Sequence, residues 1–273
     1  MIRSPEPWHV KYDGTCSRCG TALSAGTVAV YERASRTIRC VECPTPASEA
    51  APSDATPDPG VAGGSAWRKY ERLKASRETQ VRGRFGRLGG LVLAVNSEPQ
   101  STRAWAIGAK GEEKLARALE GIEGLRVLHD RRVPGTKGNV DHIAIAPAGV
   151  FVIDAKHYEG LIQIRNRGNL FRADHRLYVG RRDCSALADG LGWQVQAVEA
   201  ALRKHGVDPL PPITPVLCFV DGDWPLLSAP DSFRGVRLEG TRSIRRLLAA
   251  IGGLEAAAIE RLAELLARAL PAR

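Results

Sequence analysis

Two aspartates and a lysine stand within VDHIAIAPAGVFVIDAK, residues 140–156, in positions that suit divalent-cation chemistry on a phosphodiester. Two apolar, β-branched runs flank Ala146-Pro147-Ala148-Gly149, a pattern that predicts a strand, a tight turn and a second strand. If Ala146 and Gly149 close the turn, the same register sets Asp141 directly opposite Asp154. Directly paired residues have Cβ atoms roughly 4.5–5.5 Å apart, so both carboxylates can reach one cation. Lys156, two positions beyond Asp154, points to the same face of its strand. Two like charges side by side destabilise a sheet; a cation removes that cost and a lysine lowers it. The ordinary alternative is that aspartates often end strands and that D-x-K triplets arise by chance. Against it, a carboxylate inside the apolar Val-Asp-His-Ile run is expensive unless paired or bound to metal.

A third acid lies upstream. Residues 108–119 predict the first helix of the same domain, with Leu115, Ala116, Leu119 and Ile122 as its apolar stripe. Glu112 falls on that inward stripe, whereas Glu113 aligns with Arg117 and Glu120 and is expected in solvent. Favourable interaction with the helix dipole is the competing explanation for Glu112. Gly108 and Gly111 leave room for a close backbone approach.

Taken in order, Gly108-x-x-Gly111-Glu112, Val140-Asp141-His142-Ile143 and Val152-Ile153-Asp154-Ala155-Lys156 resemble the nuclease-related domain, NERD, of the PD-(D/E)xK nuclease superfamily. The resemblance covers roughly residues 101–220. It implies a restriction-endonuclease-like α/β core, and Gln194 early in the helix after the core hairpin as a further site residue, with Gln196 close by. It also implies Mg²⁺ or Mn²⁺ held by Asp141, Asp154 and the Ala155 backbone carbonyl, with Glu112 holding a second metal or a metal-bound water. Hard oxygen donors of this kind suit such cations. Lys156 would orient or help deprotonate the attacking water, or stabilise charge building on phosphorus.

The second motif is Cys16-x-x-Cys19 and Cys40-x-x-Cys43. Two such pairs suit tetrahedral thiolate coordination of structural Zn²⁺, and a short hairpin predicted over 27–31 and 36–39 completes a zinc ribbon. A segment this short cannot easily bury a core of its own, so metal would supply folding energy. A pair of disulfides is the alternative; no leader pattern opens the sequence, and a reducing cytoplasm is the expected compartment. Four thiolates make a closed, non-catalytic site. Cys184 and Cys218 are isolated, the latter an ordinary core residue.

Four segments position these motifs: a zinc-ribbon-like module at 1–45, a Pro/Ala/Gly-rich linker at 46–65, a basic helix with an apolar connector at 66–100, and the α/β domain at 101–273. Residues 66–87 carry eight basic side chains against two acidic ones, much of the chain's net charge of +9. That helix is expected to reach about Gln80. Its Arg68, Lys69, Arg72, Lys74 and Arg77, with Arg165 and Arg167 beyond the hairpin, are candidates for tracking phosphates; a solvated or docking face explains them equally. The apolar run at 88–95 is too short for a membrane, which takes about 20 residues, and is expected to pack on the α/β domain. Strands at 161–165 and 177–180, a helix at 185–205, a buried strand at 213–220 and a closing helix at 254–270 complete a mixed sheet flanked by helices. His142 should face away from Asp141, as a packing residue or one that supports the site from behind.

The leading expectation is a metal-dependent nuclease, its partner nucleic acid and DNA ahead of RNA. A non-catalytic nucleic-acid-binding module, a scaffold whose ribbon recruits a protein partner, and a hydrolase of small nucleotides are the alternatives. The intact acid, acid, acid-x-lysine set favours the first.

Overall fold

The computed structural model describes residues 7–17, 20–32, 37–41, 57–169, 171–227 and 229–273. The chain divides into two compact units, residues 1–56 and 57–273. In the first, β1 (Pro7–His9), β4 (Val28–Glu32) and β5 (Thr37–Cys40) form an antiparallel sheet in the order β1-β4-β5, and β2 (Gly14–Thr15) pairs with β3 (Ala22–Leu23). The β4–β5 hairpin matches the expected one. Among the described residues its core is Val10, Cys16, Leu23 and Ala29, with Ile38 and Cys40 against it.

The second unit opens with α1 (Gly64–Phe85), a 3-10 turn (Gly86–Leu88), α2 (Gly89–Val95) and α3 (Gln100–Leu119). There follow β6 (Arg126–Arg132), β7 (Asn139–Ala146), β8 (Gly149–Lys156), β9 (Gly160–Asn166), β10 (His175–Val179), β11 (Arg182–Asp183) and α4 (Ser185–Lys204). β12 (Ile213–Phe219), β13 (Gly222–Asp223), β14 (Ser232–Phe233), β15 (Val236–Glu239), α5 (Thr241–Leu248) and α6 (Ala256–Ala269) complete it.

The central sheet runs β14-β15-β12-β8-β7-β6 and is mixed: β12 is parallel to both β8 and β15, and the other pairs are antiparallel. Strands β7 and β8 are apolar on both faces because both faces are covered. One face packs Ile143, Ile145, Val150 and Val152 under α4 and α6; the other packs Ala144, Ala146, Phe151 and Ile153 under α3 and α5. Each fully buried Ile or Val there contributes about 1.5–3 kcal/mol. A second sheet, β11-β10-β9-β13, encloses a third cluster around Ile162, Leu177 and Leu217.

Strand β6, unforeseen in the sequence, is an edge strand, and its open side is covered. His129 N donates to Pro59 O at 2.6 Å, Arg132 N to Pro271 O at 2.9 Å, and Arg131 bridges to Ala272. The buried Arg131 guanidinium donates to the Ala267 and Leu270 carbonyls at the end of α6 and to Asp58 O. A cation there meets the negative end of the helix dipole, and it pins residues before α1 as well. Residues 57–63 therefore lie against β6, not in a free linker as their composition suggests.

Two more expectations change. Helix α1 extends to Phe85, where Gly86 at φ 52° ends it. The apolar run at 88–95 does not cover the domain: α2 turns back on α1, with Gly89 against Arg82, and leaves Leu88, Leu91 and Val95 between 64% and 77% exposed. A seven-residue helix beginning Gly-Gly has too short an apolar stripe to span a second docking face.

Candidate active site

The β7–β8 register is the one the turn implies: Ala146 pairs with Gly149, Ile143 with Val152, His142 with Ile153. One step further, where the ladder ends, Asp141 meets Asp154, and the two carboxyls lie within hydrogen-bond reach. Lys156 Nζ donates to Asp154 Oδ1. On the other side of β7 the ladder is interrupted at this same level. His129 pairs with His142 and Arg131 with Val140, but Asp130 and Asp141 between them do not pair, and Asp130 has φ 46°. Val140 and Ile143 consequently share one core layer although strict alternation would separate them. The strand thus turns at Asp141, which remains part-exposed while its neighbours are buried.

Glu112 is buried on α3, as its place on the apolar stripe requires, and its Oε2 accepts from the Gly63 amide at 3.0 Å. Gly111 explains how α3 comes this close to the hairpin: a Cβ there would lie 3.0 Å from His157 Cβ, just past the end of β8. Gly108 faces open space and has no such role. Lys114 and His157 both reach Asp221, fastening α3 to that strand end. Glu113, expected in solvent, is half-buried and accepts from Trp67 Nε1 at 2.5 Å, so it docks α1 on α3.

Crowding of the carboxyls has an electrostatic consequence. Burial raises Glu112 to about 7; the Gly63 amide opposes this, while Asp130 and Asp154 add to it. Burial, then the charges of Asp154 and Glu112, push Asp141 well above the usual carboxylate range. For Lys156 burial acts downward, but Asp154 and Asp141 outweigh it and its pKa rises. The site therefore gathers more carboxyl groups than one ammonium can keep ionised. His142 turns away from this cluster, as expected, and its Nδ1 lies 2.7 Å from His129 Nδ1.

Sequence reasoning missed Asp130 and Asn139. Asp130 is buried and receives the Ser65 amide at 2.6 Å, Arg68 Nη2 at 3.1 Å and Asn139 Nδ2 at 3.0 Å. Asn139 Nδ2 also reaches Asp141 Oδ1 at 3.3 Å. The only signal was Asn139-x-Asp141 spacing along one strand face; the contacts of Asp130 come from residues far away in sequence.

Gln194 is buried on α4 with no partner for Oε1, and no hydrogen bond joins it to the carboxylates among the described residues. Its neighbour Trp193 lies over Gly138, where a Cβ would come within 2.6 Å of the ring. Ala155 sits in the β8–β12 ladder opposite Cys218, itself a core residue as expected. Of the basic candidates, Arg68 is engaged by Asp130 and the Arg273 carbonyl, and Arg77 by the Asn96 and Ser97 carbonyls. Arg165 holds Gln163 and stacks on Tyr178. Arg72, Lys74 and Arg167 are exposed, and Lys69 is half-buried.

In the amino-terminal unit, Cys40 N donates to Cys16 Sγ at 3.4 Å, and Gly20, at φ 74°, turns the chain back by donating to Cys16 O at 3.0 Å. Cys16 and Cys40 are thus neighbours. Cys19 and Cys43 lie outside the described residues, and among those described no three His, Cys, Asp or Glu side chains form a ready-made metal cage.

The donors nonetheless fit the divalent cation that the resemblance implies. Asp141 and Asp154 present hard carboxylate oxygens side by side, and their mutual repulsion with Glu112 is the cost that a cation relieves.

Among the described residues no helix is long and apolar enough to cross a membrane. Neither a search of curated proteins nor one of solved structures found a match. Residues 107–220, which run from α3 through the carboxylate hairpin and α4 to the end of β12, match the family model of NERD, the nuclease-related domain.

Proposed function

We propose that the chain is a metal-dependent nuclease that hydrolyses phosphodiester bonds, in DNA ahead of RNA. The observation that carries this reading is the juxtaposition of Asp141, Asp154 and Lys156 at the end of one hairpin, inside the segment that matches a nuclease-related domain. Asp141 and Asp154 would hold Mg²⁺ or Mn²⁺, with Glu112 and the Ala155 carbonyl as further oxygen donors. Such a cation, when bound, stabilises charge on the phosphoryl oxygens and lowers the pKa of water.

The protein's own groups supply the rest. Lys156 stays protonated beside Asp154, so its ammonium can orient the attacking water and offset charge as the phosphorane forms. Glu112, buried on α3 and held by the Gly63 amide, would steady a metal-bound water. Asn139 holds Asp141, and the unpartnered Gln194 Oε1 on α4 is suited to accept from a water. The exposed cations of α1 offer a backbone-binding surface whose affinity would fall with salt.

We further propose that Cys16, Cys19, Cys40 and Cys43 bind structural Zn²⁺. The Cys40 amide directed at Cys16 Sγ supports this, because a thiolate ligand is a stronger acceptor than a thiol.

The test is cleavage of labelled duplex and single strands with Mg²⁺ or Mn²⁺, comparing wild type with Asp154→Asn. Loss of cleavage with strand binding retained is expected. Metal-loaded wild type that binds strands and yields no product would replace this reading with a non-catalytic nucleic-acid-binding one.

A further inference from the structure

A cavity of about 580 Å³ opens at the carboxyl ends of the parallel strands β12 and β15, on the β15 side of the carboxylate cluster. Crevices at that end of α/β sheets are where ligands lodge, and the volume suits a small molecule. Phe219 and Val220 line it from β12, Trp224 from the following loop, and α5 by its first turn.

Its chemistry favours an anion that carries a flat ring. Arg242 and Arg246 lie one turn apart on α5, both exposed at the cavity, with no ion pair among the described residues. Gly240 caps α5, its amide donating to Ser243 Oγ at 2.9 Å; no acid stands in the first turn, and Glu239 just before the cap is engaged by Arg237, so the positive end of the helix faces the cavity. Arg237 is held through its terminal nitrogens by Glu239 and Asp231, yet its buried Nε has no partner. The half-buried Trp224 supplies an aromatic wall, and base–aromatic stacking is tolerant of base identity. Trp224 Nε1 is so close to residue 240 that only glycine fits: a Cβ would come within 2.7 Å of it.

We propose that this cavity binds a nucleotide, its phosphate at the first turn of α5 between Arg242 and Arg246 and its base against Trp224. Its floor is continuous with the candidate active site. Phe219 pairs in register with Lys156, and Val220 N donates to Lys156 O at 3.0 Å. From β8 to β15 is two strand spacings, about 10 Å. Resting on the nuclease reading, the cavity is then the subsite for a nucleotide neighbouring the scissile phosphate.

The test uses the full chain in buffer free of Mg²⁺ and Mn²⁺, titrated with deoxyadenosine monophosphate, inorganic phosphate and a short single strand. Wild type, Arg242→Ala/Arg246→Ala and Trp224→Phe are compared, each with its melting curve. The proposal expects the mononucleotide to bind at least tenfold tighter than inorganic phosphate. The double arginine variant should weaken it tenfold or more, and Trp224→Phe less. Equal affinity in wild type and the double variant, or no binding to wild type, would overturn it. Phosphate binding as tightly as the nucleotide would refute the role of Trp224. A single strand indifferent to the two arginines would refute the subsite while leaving a site for free nucleotides. No arm reads cleavage, so failure of the nuclease reading is scored separately.

Discussion

The Gly63 amide donates to Glu112 Oε2 at 3.0 Å, joining two residues 49 positions apart. Two residues on, the Ser65 amide binds Asp130, which shares Asn139 with Asp141. The start of the basic helix is therefore fastened to the acids themselves, so the position of α1 and the geometry of the site depend on one another.

Gly63→Ala tests that dependence. Residue 63 has φ 74°, and a Cβ there would stand 2.8 Å from the Ala109 carbonyl oxygen. The substitution is expected to cost about 1–3 kcal/mol and to lower cleavage with it. A melting temperature equal to wild type would mean that the segment before α1 is not held as described.

Asn139→Ala removes the donor shared by Asp130 and Asp141. Losing a hydrogen bond to a buried charged group costs about 1–3 kcal/mol. Cleavage is expected to fall about five- to a hundredfold, with weaker Mn²⁺ affinity read by titration. Unchanged Mn²⁺ affinity and turnover would assign Asn139 to the strand alone.

Glu113→Ala separates docking from chemistry. Without the carboxylate that receives Trp67 Nε1, α1 should loosen from α3 at a cost of about 1–2 kcal/mol, while the Gly63 and Ser65 amides still hold the acids and turnover on saturating substrate stays within twofold. Glu112→Gln should reverse the pattern, losing turnover and keeping α1 in place. Similar losses of turnover in both variants would contradict the assignment of the two helix faces.

The paired histidines predict an acid limb. Burial, then Arg131, lowers His129 to about 4; burial, then His129 and Lys156, hold His142 well below its ordinary value. An unfolded histidine titrates near 6.5, so between pH 6.5 and 4 the unfolded chain binds protons that the folded one refuses. Stability is complete above 6.5 and falls with acid, by about 3 kcal/mol for His129 alone. Urea melts at pH 7 and pH 4.5 should show this slope in wild type and a shallower one in His129→Leu. Parallel slopes would exclude the pair as its source.

Much of the site was legible because its signals are local. A turn at Ala146–Gly149 fixes the register, and register fixes Asp141 opposite Asp154. A helical stripe places Glu112 inward and Gly111 at a close approach. The rest depends on contacts that no local pattern encodes. Asp130 looks like the polar end of a strand until the amide of Ser65 caps it from far upstream. Residues 57–63 read as linker because their composition is that of a linker, whereas Arg131 and the His129 amide hold them to β6. The run at 88–95 has apolar composition without a stripe long enough to dock, and it stays exposed.

The two compact units predict separable unfolding. A Zn²⁺ chelator should abolish the circular-dichroism and exchange-protection signals of the first unit and leave the melt of residues 57–273 within about a degree. One cooperative transition that loses both would contradict independent modules.

The most direct measurement is nicking of supercoiled plasmid by the full chain with Mg²⁺ or Mn²⁺, wild type against Lys156→Ala. Lys156 lies beside Asp154 and next to Asp141, so metal-dependent nicking is expected to fall at least a hundredfold in the variant. Equal nicking by both proteins would contradict it and place any activity elsewhere.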